Sequence, residues 1–242
     1  NADADFEPQE SSDSDVLEYQ SKDNSSDENL LERYENSVFK VYTHSKGYDF
    51  EFPWQPPTIM QWGGSGFVIN YEGQVCLITN AHVADSASLM EIRLADEDKK
   101  YLATLKAIDH DCDLAMLEVA DQSFWDKVEA LELGNMPSMR SKLQVFGYPA
   151  GGQELCITDG QVSRIEVRPY AESGVSLLQA QVSAPINPGN SGGPAISNGK
   201  VLGVAFQGIH SLEGAGFIIP PPILEHFIKD ALSHKQYRGF PN

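Results

Sequence analysis

The chain has 242 residues, 41% of them apolar, enough for one large domain or two small ones around a real core. Its formal net charge of −18 argues against binding to a phosphate backbone or an anionic membrane surface, because both need clustered Lys and Arg. No apolar run approaches the ~18 residues that a membrane-spanning helix requires.

The charge is concentrated at the start. Residues 1–36 hold twelve Asp or Glu against two Lys or Arg, so this segment carries −10 of the −18. Residues 1–30 are rich in Ser, Asp, Asn and Gln and poor in large apolar groups. Such a composition buries too little surface to offset its ordering entropy, and the segment is expected to be a disordered acidic tail. Residues 31–242 are expected to form the folded domain.

From residue 37 onward, short apolar runs recur between turn signals, as β-strands do. In chain order they include S-V-F-K-V-Y-T-H at 37–44, S-G-F-V-I-N at 65–70, Q-V-C-L-I-T-N-A-H-V at 74–83, Y-L-A-T-L-K-A-I at 101–108 and L-A-M-L-E-V at 114–119. Further runs lie at 142–148, 161–167, 177–183 and 200–206. Asn198-Gly199, between two of the last runs, is a strong hairpin-turn signal. Many short strands with long loops suggest packed antiparallel sheets or barrels. The pattern changes after Pro220-Pro221-Pro222. Ile223, Leu224, Phe227, Ile228, Ala231 and Leu232 then recur at helical spacing, which predicts one helix over 221–236.

The three cysteines, Cys76, Cys112 and Cys156, are odd in number and show no C-x-x-C spacing. They read as small buried hydrophobes, not as a disulfide framework. No metal or cofactor is implied.

Three segments carry possible chemistry. In I-N-P-G-N-S-G-G-P at 186–194 a single hydroxyl, Ser191, is surrounded by residues with little or no side chain. Serine at its ordinary pKa is a poor nucleophile and needs a neighbouring base. Of the six histidines, His82 stands where the strand C-L-I-T-N-A ends, a place suited to a base on a rigid support. A carboxylate to hold that imidazole is sought in D-H-D-C-D-L, where Asp109, Asp111 and Asp113 are candidates. Read as a strand, this segment puts Asp111 and Asp113 on one face and His110 and Cys112 on the other, which disfavours a metal site there. Asp113, which leads directly into the apolar run, is the best candidate for burial beside a histidine.

The blocks T-N-A-H-V, D-L-A-M-L and N-P-G-N-S-G-G-P, in that order, together with G-A-G-F-I-I-P at 214–220, resemble the HtrA/Deg family of chymotrypsin-like serine proteases over about residues 35–240. Phe124-Trp125, V-F-G-Y-P-A-G-G and Y-R-G-F-P look most like its plant nuclear-type branch and that branch's bacterial relatives. The resemblance implies an all-β fold of two six-stranded antiparallel barrels, at about 35–130 and 131–220, with a C-terminal helix. It implies His82, Asp113 and Ser191 as catalytic triad. Gly189, Asn190 and Ser191 have N–H groups available for an oxyanion hole, and the family pattern implies Gly189 and Ser191 as its donors. It also implies an active-site loop that can rest in an inactive state. In relatives G-F-P leads into PDZ domains; with the chain ending at Asn242, none is expected here.

The resemblance further places Pro185 and Ile186 at the base of the specificity pocket, with Phe206 and Ile209 as walls. No carboxylate lies there, so cleavage is expected after small or medium apolar residues of unfolded or flexible proteins, as in protein quality control. A chaperone-like binding module and a processing protease with a narrow substrate are the alternatives. Family members usually form trimers through aromatic residues early in the domain, here Tyr34, Phe39, Phe50, Phe52 and Trp54, so the resemblance implies a homotrimer or a multiple of it, with the acidic tail mildly opposing assembly. The compartment stays open, export being favoured over an organelle or the nucleus.

Overall fold

The computed structural model describes residues 34–48, 50–95, 97–208 and 216–234. Residues 1–33, which include the whole acidic tail, and Ile209 lie outside them.

Six strands form a first closed antiparallel barrel: β1 (Val38–Gly47), β2 (Thr58–Tyr71), β3 (Gln74–Thr79), β4 (Leu89–Leu94), β5 (Tyr101–Asp109) and β6 (Leu114–Val119). The hydrogen-bonded order runs β1-β4-β5-β6-β3-β2 and closes through the β1–β2 pair, with Val38 opposite Phe67 and Gly47 opposite Thr58. Alternation along these strands sends Phe39, Val41, Val68, Leu77, Ile92 and Leu117 into a common core. Phe124, on the short α2 (Gln122–Trp125), plugs it edge-on against Phe39 and Tyr101. Trp125 holds α2 in place by donating its indole N–H to Val119 O at 2.9 Å.

The second set of strands is β8 (Lys142–Gly147), β9 (Cys156–Pro169), β10 (Ser176–Val182), β11 (Pro194–Ser197), β12 (Lys200–Gly208) and β13 (Gly216–Ile219). Antiparallel pairs run β8-β9-β10-β13-β12-β11 and return to β8, which makes a second ring around Leu143, Val145, Ala180, Val182, Ala195 and Ile218. Asn198 (φ 50°) and Gly199 (φ 75°) make the tight β11–β12 turn in the left-handed conformations such hairpins need. The two rings are stitched by β7 (Leu131–Leu133), which pairs in parallel with β2 on one side and β12 on the other.

The terminal helix α3 (Pro221–Ser233) buries Ile223, Leu224, Phe227, Ile228 and Ala231 along one stripe. It ends three residues before the bound read from the sequence, with His234 N–H closing on Asp230 O; 235 and 236 are outside the described residues. Among the described residues no helix is long and apolar enough to cross a membrane. All three cysteines are free, and Cys76 and Cys112 are buried.

One reading of the sequence is corrected. Residues 110–113 are not strand but the four-residue turn joining β5 to β6, since Asp109 pairs with Leu114. Strand alternation therefore does not apply to them. Asp113 sits at φ 54°, a left-handed conformation that Asp tolerates better than most residues and that turns its carboxylate inward.

Candidate active site

His82 lies on a single helical turn, α1 (Ala81–Ala84), directly after β3. Two side chains from β1 and β2 grip this turn by the same carbonyl: Thr43 Oγ1 and Trp62 Nε1 donate to Val83 O at 2.6 and 3.0 Å. Asn80, which precedes the turn, donates from Nδ2 to Asp113 O at 2.8 Å, tying the histidine turn to the β5–β6 turn.

Asp113 is 1% exposed and faces His82 with both oxygens. Oδ1 accepts the His82 backbone N–H at 2.9 Å, and Oδ2 lies 2.8 Å from Nδ1 of the ring. With Nδ1–H directed at the carboxylate, the neutral ring presents Nε2 as a proton acceptor. Burial of His82 disfavours its charged form. The hydrogen bond and charge of Asp113, joined by the charge of Glu172, outweigh that and hold the imidazole above its ordinary pKa. The other two carboxylates considered are elsewhere: Asp111 is exposed, and Asp109 is buried with Oδ1 accepting from Asp111 N.

Ser191 follows Asn187-Pro188-Gly189-Asn190 in the β10–β11 loop. The loop is strapped to both barrels: Ser65 N–H on β2 of the first donates to Ser191 O at 2.8 Å, and Gly192 N–H donates to Ala205 O on β12 of the second at 2.7 Å. Gly192 has φ 86°, and a Cβ there would run into Ser65 O, Thr79 Oγ1 and Asn80 N. The nucleophile loop thus packs on the strand ends that carry His82. A similar constraint acts at Gly189 (φ 99°), where a Cβ would strike Tyr148 O and Ala150 N.

The donors of this loop can be sorted by where their carbonyls point. Pro188 O accepts from Ala150 N–H at 2.8 Å, and no peptide among the described residues is cis, so Gly189 N–H faces the opposite way. Asn190 N–H is spent within the loop on Asn187 O at 3.0 Å. Among the described residues, the Gly189 and Ser191 amides make no hydrogen bond. Of the three N–H groups expected at the hole, that of Asn190 is thus the one already committed within the loop. Its side chain is fully buried, and among the described residues neither Nδ2 nor Oδ1 has a partner.

Of the four residues expected around a specificity pocket, Pro185 is exposed, with its carbonyl accepting from Thr158 Oγ1 at 3.2 Å. Ile186 is buried over Gly216 and belongs to the second barrel's core. Phe206 is buried against Tyr170, ring centres 4.6 Å apart. Sequence reasoning missed several supports: Ser65, Asn80, Thr79, and Ser173, whose hydroxyl donates to Asp111 O at 2.9 Å. The glycines on either side of Ser65 were the one available signal; the rest are long-range hydrogen bonds that leave no local pattern.

Residues 64–204 match the family model of the trypsin-like peptidase domain. Protease Do-like 4, mitochondrial, of Arabidopsis thaliana is 44% identical over 205 residues, which is 85% of this chain and 39% of that protein. A serine protease DegP homolog of Plasmodium falciparum is 40% identical over 87% of this chain and 24% of its own length. This chain thus spans less than half the length of the curated relatives named. Among solved structures, the HtrA-type protease AlgW with decapeptide superposes with a TM-score of 0.69 at 25% identity, covering 88% of this chain and 69% of that one. The active form of the Rv3671c protease from M. tuberculosis gives 0.64 at 25% identity over 79% and 78%.

Proposed function

The chain belongs to the family of trypsin-like peptidase domains, with Do-like and HtrA-type proteases among its relatives, and from this premise we propose that it is a serine endopeptidase working through His82, Asp113 and Ser191. The observation that carries the proposal is the His82–Asp113 pair, two hydrogen bonds of 2.8 and 2.9 Å to a buried carboxylate, next to a strapped serine loop.

In this reading Ser191 Oγ attacks the peptide carbonyl while His82 Nε2 takes its proton. Asp113 keeps Nδ1–H in place and stabilises the imidazolium that forms. The carbonyl oxygen becomes an oxyanion and is met by the N–H groups of Gly189 and Ser191; one such donor is worth about 3 kcal/mol. His82 returns the proton to the leaving amine, an acyl-enzyme remains, and water repeats the cycle to release the acid. No metal or cofactor is required by this chemistry.

The pH dependence follows from the sign of the His82 shift. Only the neutral ring accepts the Ser191 proton, and Asp113 and Glu172 raise its pKa. kcat/KM should therefore rise with pH through a limb displaced above the usual ~6.5 of histidine. Glu172→Gln removes part of the raising charge and should move that limb to lower pH, read from kcat/KM against pH; a limb unmoved by the variant would show that Glu172 does not tune the base.

The substrate is proposed to be an unfolded or flexible protein segment, cut after a small or medium apolar residue. Ile186 and Phe206 support this, since neither brings charge to the expected pocket. Peptides with Val or Leu before the scissile bond should be cut well ahead of matched peptides with Lys or Asp, because an unpaired charge loses its hydration there. A matched-peptide cleavage series tests both parts: no cleavage of any peptide, or of casein, would sink the endopeptidase reading, and a preference for Arg would sink the apolar pocket alone.

A homotrimer is also proposed. Its support is the β1–β2 loop, where Phe50 is 90% and Trp54 76% exposed, with Phe52 packed edge-on against Trp54. Phe39 takes no part, being wholly within the first barrel's core. An organellar location accords with the mitochondrial and chloroplastic names of several relatives, and the earlier preference for export finds no support in them.

A further inference from the structure

We propose that Ser65 is a positioning residue for the oxyanion hole, holding the Gly189 carbonyl so that the Gly189 N–H, on the other side of the same α-carbon, stays aimed at the developing charge. The inference rests on the serine endopeptidase reading above and adds to it a residue that the triad does not contain.

Ser65 lies on β2 and is 0% exposed. All of its polar groups are engaged. Its hydroxyl donates to Gly189 O at 2.7 Å and accepts the Tyr148 N–H at 2.8 Å. Its amide donates to Ser191 O at 2.8 Å, and its carbonyl accepts from Thr79 Oγ1 at 2.7 Å. The backbone half of this set would survive any side chain. The hydroxyl half would not.

The direction of the hydroxyl proton is decided by Tyr148. Because Tyr148 N–H already points at the Ser65 oxygen, the Ser65 proton is left free to reach Gly189 O. Ala150, two residues further along the same β8–β9 loop, donates to Pro188 O. Of the two peptides flanking Gly189, the one before it is held by Ala150 N–H on Pro188 O, and the one after it by Ser65 Oγ on Gly189 O together with Asn190 N–H on Asn187 O. Gly189 is the residue in the loop best able to swivel, having φ 99° and no side chain. Removing the Ser65 bond leaves the peptide after Gly189 with the Asn190–Asn187 bond alone, and so loosens one of the two peptides between which the Gly189 N–H is set.

The loop that carries Tyr148 and Ala150 is itself anchored on the first barrel. Lys40, paired with Ser65 across β1 and β2, donates from Nζ to Gly152 O; Arg93 on β4 donates to Gln153 O. Tyr42 OH donates to Gln153 Oε1 at 2.9 Å. The hole is thus a part of the second barrel aligned by hydrogen bonds rooted in the first.

Ser65→Ala is expected to lower kcat by about tenfold to a hundredfold, less than loss of a hole donor itself, with KM nearly unchanged. The affinity of a peptide aldehyde, whose adduct with Ser191 places an oxyanion in the hole, should fall in parallel with kcat/KM. The acid limb of the pH profile should stay where it is, since His82 is untouched. Ser65→Cys, which nearly keeps the volume and offers a weaker S–H donor, should fall between. If Ser65→Ala does not fold, Ser65→Cys carries the test with the same readouts. Wild-type kcat and aldehyde affinity in a folded variant would overturn the inference, as would an effect confined to KM. A wild-type chain that hydrolyses nothing and is not labelled by a fluorophosphonate would overturn the endopeptidase reading and this inference with it; an active wild type with an unaffected Ser65→Ala overturns this inference alone.

Discussion

Ser191→Ala and His82→Ala should each lower turnover by about six orders of magnitude, and combining them should cost little more. The reason is that neither group works without the other: a serine hydroxyl without its base is no stronger a nucleophile than water, and a base without the hydroxyl has no proton to take. Neither change should disturb the fold. Ser191 is held by backbone hydrogen bonds through its carbonyl, and Val83, not His82, is the residue gripped by Thr43 and Trp62. The measurement is single-substrate turnover beside thermal unfolding of the same samples, with fluorophosphonate labelling as a direct count of the nucleophile. Labelling that persists in Ser191→Ala would place the nucleophile elsewhere. Two variants that are each only mildly impaired would show that the groups do not act as a unit.

Asp113→Asn should cost about four orders of magnitude in kcat. The carboxylate only accepts, so it selects the tautomer with the proton on Nδ1. An amide can turn its NH₂ toward the ring and favour the opposite tautomer, which takes the base away from Ser191. The backbone should accept the change, since Asn tolerates the left-handed conformation of residue 113 at least as well as Asp. Asp111→Asn is the matched control: its side chain is exposed, and it stands outside the pair formed with His82. The control should keep nearly full activity. The reverse pattern, with Asp111→Asn inactive and Asp113→Asn active, would refute the assignment of the carboxylate.

Much of the architecture was legible along the chain because a β protein repeats its burial rule every second residue. The apolar runs around Val68, Leu77 and Leu117 marked strands, Asn198-Gly199 marked a turn, and the spacing of Ile223, Leu224, Phe227 and Ile228 marked the helix. The chemical groups were legible for a related reason. A serine among glycines, a histidine ending a strand and an aspartate before an apolar run are local patterns, and their order along the chain is itself a signature.

What the chain could not convey locally was geometry between segments. The D-H-D-C-D segment was read as extended, yet a four-residue turn replaces the strand there, and the positive φ of Asp113 rather than alternation directs its carboxylate to His82. Asn190 offered an N–H on paper, but the loop spends it on Asn187 O. That Ile186, expected at a pocket base, packs over Gly216 is likewise a contact between distant segments. Ser65 looked like any small strand residue, although its hydroxyl joins Gly189 to Tyr148, 124 and 83 positions away. Sequence alone therefore determined the residue types, their order and the periodicity of burial, since each depends on neighbours within a few residues. Only the tertiary structure decided which donors remain free and which carbonyl each loop faces, because a hydrogen bond is set by distances between segments that the chain brings together only when both barrels have closed.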